Sequence, residues 1–265
     1  MIKNFLKNLI KIVLLMLDER ILRGLVMLVQ AARGFDNNQD MKVNGEYFLI
    51  NKILKQSNIR TAIDIGGNVG DYSAELCKVV KETLHIFEPQ EDLHDKIRCK
   101  TRAANCEVFI HAIAISETNT ARQLHIDESK NFLASIEAEV AGIEYVNFTS
   151  VKNIKCITLD EFINKKALST VDFIKIDTEG HEESVLRGAV DLIEFNPPKF
   201  VQIEFNIHQM YSRSNLLIFS GYLKNYRLYQ ILPKKVILRD PRDPVNNYFH
   251  YSNFLFVRSD IDLDW

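Results

Sequence analysis

The residues with the most chemistry to offer fall into two groups. One is the run Asp64-Ile65-Gly66-Gly67-Asn68-Val69-Gly70, at the end of the apolar stretch TAIDI (Thr61–Ile65). With it goes Glu88, which ends the next apolar stretch, LHIF (84–87). Glycines in such a bend let the backbone approach a ligand and adopt positive φ. An acid at the second strand tip can accept hydrogen bonds from both hydroxyls of a ribose, each worth about 1.5–3 kcal/mol. The second group is Lys175, Asp177, Glu179 and His181 (in KIDTEGH), followed by Glu204, Asn206 and His208 (in EFNIH). Carboxylates and imidazoles gathered in this way can take a proton, orient a hydroxyl, or share a divalent cation.

Two kinds of nucleoside ligand compete for the first group. The dinucleotide fingerprint is G-x-G-x-x-G, with a pyrophosphate over the helix N-terminus. Here the glycines are at 66, 67 and 70, and Asn68 stands in place of the fingerprint's second glycine. Asp64, at the end of its strand, would repel a phosphate. It suits S-adenosylmethionine (SAM), which has no phosphate and carries a sulfonium and an ammonium. A glycine turn that binds nothing leaves the acid at both strand tips unexplained.

These residues need a sheet to hold them. From about Asn44 onward, short apolar stretches alternate with helical ones. Strands are expected at 61–65, 84–87, 108–115, 171–176 and 200–205, with a short one at 123–126 inside an irregular polar stretch, 117–150. Helices are expected at 71–81, 93–104, 159–165, 182–195 and near 215–225; Thr158 and Glu161 form a capping box. Strands 227–232 and 248–257 close the chain as an antiparallel pair. Alternation of this kind implies a doubly wound, mostly parallel α/β sheet covered on both faces. With a C-terminal antiparallel hairpin, it is the Rossmann-like architecture of class I SAM-dependent methyltransferases. Ligands bind such sheets beyond the carboxyl ends of the strands, where both groups of residues lie.

The bulk numbers set limits. A chain of 265 residues can bury one core and a small appendage. With 33 basic and 35 acidic residues it lacks the basic surplus expected of a nucleic-acid binder. Cys77, Cys99, Cys106 and Cys156 form no C-x-x-C pair, so we expect reduced thiols in a cytoplasmic protein rather than a zinc site or disulfide scaffold. Residues 1–40 read as an amphipathic helical extension and 41–265 as the catalytic domain. In the extension, Lys3, Lys7 and Lys11 recur every four residues, on one helical face. Apolar runs broken by Asp18, Glu19 and Arg20 are too short for a span of roughly 20 residues and lack the form of a signal peptide. The pair of helices either caps the domain or a second subunit, or lies on an anionic membrane at the inner face. Residues 36–40 (DNNQD) read as the linker.

Between about 61 and 205 the sequence resembles the FkbM family of SAM-dependent methyltransferases. AIDIGGNVGDYS (62–73), HIFEPQEDL (85–93), ITLDEFI (157–163) and VDFIKIDTEGHEESVLRGA (171–189) follow the family's motifs in order. The resemblance implies O-methyl transfer, often to a sugar or other metabolite hydroxyl. It implies SAM contacts from Asp64, Gly66, Asn68, Gly70 and Glu88, to which we add Gly67, Tyr72 and Ser135. Gly67 departs from a commoner alanine and only removes a methyl group. Asp177 or His181 is the candidate general base, with Glu179 and Lys175 beside it. Lys175, sharing a strand face with Asp177, either pairs with a strand-end acid or orients the acceptor. His181 is otherwise an exposed neighbour of a helix start, and His208 a loop histidine. Glu204, Asn206 and His208 are the candidate acceptor contacts. Asp177, Glu179, His181 and Glu204 leave a divalent cation open. A lipid or non-sugar acceptor, a SAM-binding protein without catalysis, and self-association stay open too. His85 and His111 read as structural.

Overall fold

The computed structural model describes residues 2–36, 40–129 and 133–263, and the side chains of residues 2 and 3 lie outside it. Residues 37–39 of the expected linker, residues 130–132 ahead of Ser135, and the Lys3 side chain therefore fall outside the described residues.

Among the described residues, twelve strands lie in chain order: β1 Thr61–Ile65, β2 Thr83–Phe87, β3 Glu107–His111, β4 Ala114–Ile115, β5 Ala121–Ile126, β6 Ala134–Ser135, β7 Ser150–Ile157, β8 Phe173–Ile176, β9 Phe200–Phe205, β10 Tyr226–Leu232, β11 Lys235–Leu238 and β12 Ser252–Arg258. Eight form one sheet in the order β11-β10-β12-β9-β8-β1-β2-β3. Neighbours from β9 to β3 run parallel, while β12 is antiparallel to both β9 and β10. This is the mostly parallel, doubly wound sheet of the class I methyltransferase fold. The order reverses beside β1, so its carboxyl end and that of β8 open a crevice.

Every residue of β1 and β8 is buried, as central parallel strands require. On one face Ile63, Ile65, Ile174, Ile176 and Ile203 pack against helices Leu159–Lys166, Glu182–Arg187 and Leu216–Tyr222. On the other, Ala62, Leu84, Ile86 and Phe173 pack against the turns at Leu49–Leu54 and Asp71–Leu76. That second face is not wholly apolar. Asp64 is in register with Lys175, and Lys175 with Gln202, so a polar row crosses three strands under the crevice.

The structure departs from the sequence reading in five places. The expected strand 108–115 is two strands, because β4 leaves the main sheet to pair with β7. β7 itself went unread; it joins β4, β5 and β6 in a second sheet over the crevice. The single helix 182–195 breaks in two at Gly188, where a Cβ would stand 2.1 Å from the Ser116 carbonyl oxygen. The stretch 233–247 holds β11, paired with β10. Ahead of β1, residues 41–54, which the sequence reading left unassigned, are helical, with Asp40 accepting from the Lys42 N–H as N-cap.

Candidate active site

Three adjoining cavities open at the carboxyl ends of β1, β8 and β9. The first, about 670 Å³ and open to solvent, lies between β2 and the second sheet. Its apolar wall is Phe87, Pro89, Ile115, Leu124, Ala134 and Ile136, and its polar edge includes Asn68, Glu88, Gln90 and Glu179. The second, about 1640 Å³, runs over the glycine bend and is edged by Glu46, Tyr72, Lys175, Asp177 and Glu204. The third, about 1060 Å³, is bounded by Tyr145, Glu179, Glu204, Asn206, His208 and Tyr251. Glu179 borders all three.

The bend is shaped by close approach. Gly66 (φ +90°) stands against the Asp177 carbonyl oxygen, where a Cβ would lie only 1.7 Å away. At Gly70 (φ +84°) a Cβ would lie 3.0 Å from the Ile97 Cα. Asn68 also has positive φ, +45°, a region Asn tolerates better than most residues. The Asn68 N–H donates to Glu88 Oε2 at 2.8 Å, and the Gln90 N–H to Oε1 at 2.9 Å. Each carboxylate oxygen keeps a lone pair for a further donor. Burial, only partly offset by those backbone donors, pushes the Glu88 carboxyl up to about 7.

Asp64 is placed differently from the expectation of direct contact. It is fully buried and borders none of the three cavities. Its carboxylate accepts from Ser73 Oγ and lies 4.0 Å from Lys175 Nζ. The reason is strand alternation, which turns Asp64 under the helix Asp71–Leu76 rather than toward the cleft. Lys175 Nζ is 2.7 Å from Asp177 Oδ2 and 4.8 Å from the centre of the Tyr72 ring. Burial opposes the lysine's charge, but Asp177, Asp64 and Glu46 outweigh it and raise its pKa. The Tyr72 hydroxyl donates to Gln202, whose amide donates to Glu46 at 2.9 Å and to Asn253 at 3.0 Å. Glu46, Gln202, Tyr145 and Tyr251 were missed in the sequence. The one available signal for Glu46 was an acid beside the apolar helical spacing of 48–54.

His181 is neither exposed nor free. It is 1% exposed, with Nδ1 2.6 Å from Glu137 Oε1 and Nε2 3.0 Å from Ser116 Oγ. This Ser–His–Glu chain has the connectivity of a nucleophile relay, but Ser116 is fully buried and presents no nucleophile. Both its ring nitrogens are engaged within the protein, and His181 edges the first cavity at the start of helix Glu182–Arg187. His208, expected as an acceptor contact, has the better position. Its Nδ1 lies 2.6 Å from Glu179 Oε2 and its Nε2 3.3 Å from the Tyr145 hydroxyl. Burial disfavours its charge, yet the neighbouring Glu179 carboxylate raises its pKa. Ser135 is buried and donates to the Glu179 carbonyl at 2.7 Å, bracing that residue at φ +53°.

Asp177, Glu179 and Glu204 each offer an oxygen within 4.8 Å of the others, close enough to share a cation; His181 is not with them. Burial, then Asp177 and Glu179, push the Glu204 carboxyl well above the usual range. Asn206 Nδ2 donates to it at 2.7 Å.

The chain has known relatives. The profile described as "Methyltransferase FkbM domain" matches residues 64–225. The chain is 24% identical over 153 residues to "Hexuronic acid methyltransferase AglP" of Haloferax volcanii, covering 57% of this chain and 59% of that protein. It thus spans about three fifths of the length of that curated relative. Among solved structures, the N-methyltransferase NodS of Bradyrhizobium japonicum WM9 superposes with a TM-score of 0.45 at 6% identity, over 83% of this chain and 98% of that one. An O-methyltransferase of Bacillus cereus in complex with SAH gives 0.43 at 13% identity, over 91% and 92%.

Proposed function

The chain belongs to the FkbM family of SAM-dependent methyltransferases, and from that premise we propose that it methylates a hydroxyl of a sugar, in a glycan or a glycolipid. The observation that carries the reading is the Glu179–His208–Tyr145 chain, at the point where the cleft of the glycine bend meets the third cavity.

The residues present suit SAM. Glu88 would accept the ribose hydroxyls, and the apolar wall of Phe87, Pro89, Ile115 and Leu124 would take the adenine. Gly66, Gly67, Asn68 and Gly70 would let the backbone lie against it, with Tyr72 and Lys175 on the floor of the adjoining cavity. Asp64 would act from below, by holding Lys175. When bound, SAM supplies a methyl group on a sulfonium, open to in-line attack by an oxygen. Everything else falls to the protein. His208 would take the acceptor's proton at Nε2, and Glu179 would hold the ring and stabilise its cation. Glu204, Asn206 and Tyr145 would fix the acceptor hydroxyls by donating and accepting. Holding acceptor and methyl in line can lower the barrier by about 7–11 kcal/mol. Asp177 and Lys175 neutralise one another beside the reacting groups. Lys175 already supplies positive charge here, so the reading needs no divalent cation.

AglP is named for hexuronic acids. Among the described residues, the third cavity has neither Lys nor Arg in its wall, which supports a neutral sugar face here. The four free cysteines support a cytoplasmic location. The test is incubation of the full chain with methyl-labelled SAM and a panel of neutral sugars, uronic acids and lipid alcohols. Label on a sugar hydroxyl is the expected result. Label only on a lipid alcohol, or SAM binding with no transfer to any member of the panel, would overturn it.

A further inference from the structure

The helices Ile2–Leu15 and Glu19–Ala32 leave an apolar surface uncovered. Leu6, Leu9 and Val13 are 54%, 48% and 53% exposed; Leu25, Leu28 and Val29 are 39%, 68% and 60% exposed. Each set falls on one side of its helix at 3.6 residues per turn, while Lys7 and Lys11, then Arg20 and Arg23, fall on the other. A monomeric surface seldom leaves contiguous apolar faces of this kind open to water. Neither helix can cross a bilayer. Each has 14 residues, about 21 Å of rise against about 30 Å of hydrocarbon, and among the described residues no helix is long and apolar enough.

We propose that these two helices dock this protein on an anionic lipid surface, lying in the interface with their apolar sides down. Charge selects this occupant. Residues 1–35 hold six basic and two acidic side chains, in a chain with 33 basic and 35 acidic residues. The remainder is therefore acidic, so a negative surface attracts the helices and repels the body. A second copy of the chain is a poorer fit. Helix pairing is reinforced by opposite charges beside the seam, and Ile2–Leu15 has no acid at all.

The exit from the helices is fixed to the body. Phe35 is fully buried, and the Arg33 guanidinium donates to the Val245 carbonyl at 3.1 Å and to Asn246 Oδ1 at 2.9 Å. The next described residues border the site: Asp36 the third cavity, Asp40 the second. Docked helices thus bring the mouths of both cavities to the lipid surface, where a sugar carried on a lipid would be presented. The docking rests on the helices alone, so its failure leaves the methyl-transfer reading intact, and the reverse also holds.

The experiment is co-sedimentation of the full chain with phosphatidylcholine vesicles, with and without phosphatidylglycerol. The protein should pellet with the anionic vesicles and be released by salt. Leu9→Asp/Val13→Asp, and separately Lys7→Glu/Lys11→Glu, should weaken the association by roughly tenfold or more. Binding of adenosylhomocysteine and far-ultraviolet circular dichroism should stay unchanged. Wild-type protein left in the supernatant overturns the proposal. So does a dimer in gel filtration that Leu9→Asp/Val13→Asp splits into monomers.

Discussion

His208 Nδ1 lies 2.6 Å from Glu179 Oε2, joining the loop after β8 to the helix after β9. The pair sets the pH behaviour of the site. Burial alone would lower the His208 pKa from its ordinary 6.5; Glu179 reverses the sign and raises it. A base must be neutral, so turnover should rise with pH and level off above an apparent pKa higher than 6.5. Glu179→Gln should move that limb to lower pH and reduce the plateau. His208→Ala should cost about 10²–10⁴ in kcat while SAM affinity holds. The same pair stabilises the fold fully below the unfolded histidine pKa, and that contribution fades as pH climbs through the raised value. A wild-type profile flat from pH 6 to 9 would take the base role away from His208.

Glu88 makes a claim on the cofactor alone. Glu88→Ala should weaken adenosylhomocysteine binding by about 1.5–3 kcal/mol, roughly ten- to a hundredfold. Its carboxyl is pushed up to about 7 by burial. Wild-type affinity should therefore fall as pH drops below 7 and one oxygen takes a proton. Calorimetry at pH 6 and pH 8 checks both effects, and equal affinity throughout would remove the ribose assignment.

Gly67 is matched to a neighbour on β2. A Cβ there would stand 2.3 Å from Ile86 Cγ2. Gly67→Ala should destabilise the protein by about 1–3 kcal/mol through overpacking. Ile86→Leu moves the branch away from Cβ, so the double variant should recover much of the loss. A thermal-melt double-mutant cycle reads the coupling, and strict additivity would show that the two side chains do not meet.

Asp177, Glu179 and Glu204 could share a cation, but Lys175 and His208 already hold two of them. Turnover should survive EDTA followed by desalting within about twofold, a change worth only ~0.4 kcal/mol. Loss of activity that Mg²⁺ or Mn²⁺ restores would put an ion at these three carboxylates.

Much of this molecule is local, and what is local could be read from the chain. Thr61–Ile65 followed by glycines at 66, 67 and 70, with Glu88 ending the next apolar stretch, specified an open cleft at the strand tips. The alternation of strands and helices specified the parallel sheet around it. Lys175 and Asp177, two residues apart on one strand, had to share a face, and they pair at 2.7 Å. Which acid lies beneath which cavity was decided by the tertiary structure. Spacing says which residues share a face, not what packs opposite. Asp64 turned inward onto Ser73 and Lys175. Glu46 joined Gln202 from 156 positions away. His181 was held between Ser116 and Glu137, while His208 was turned toward Glu179. Each outcome depends on two elements brought together by burying their apolar sides, a cooperative event that no single stretch of sequence contains.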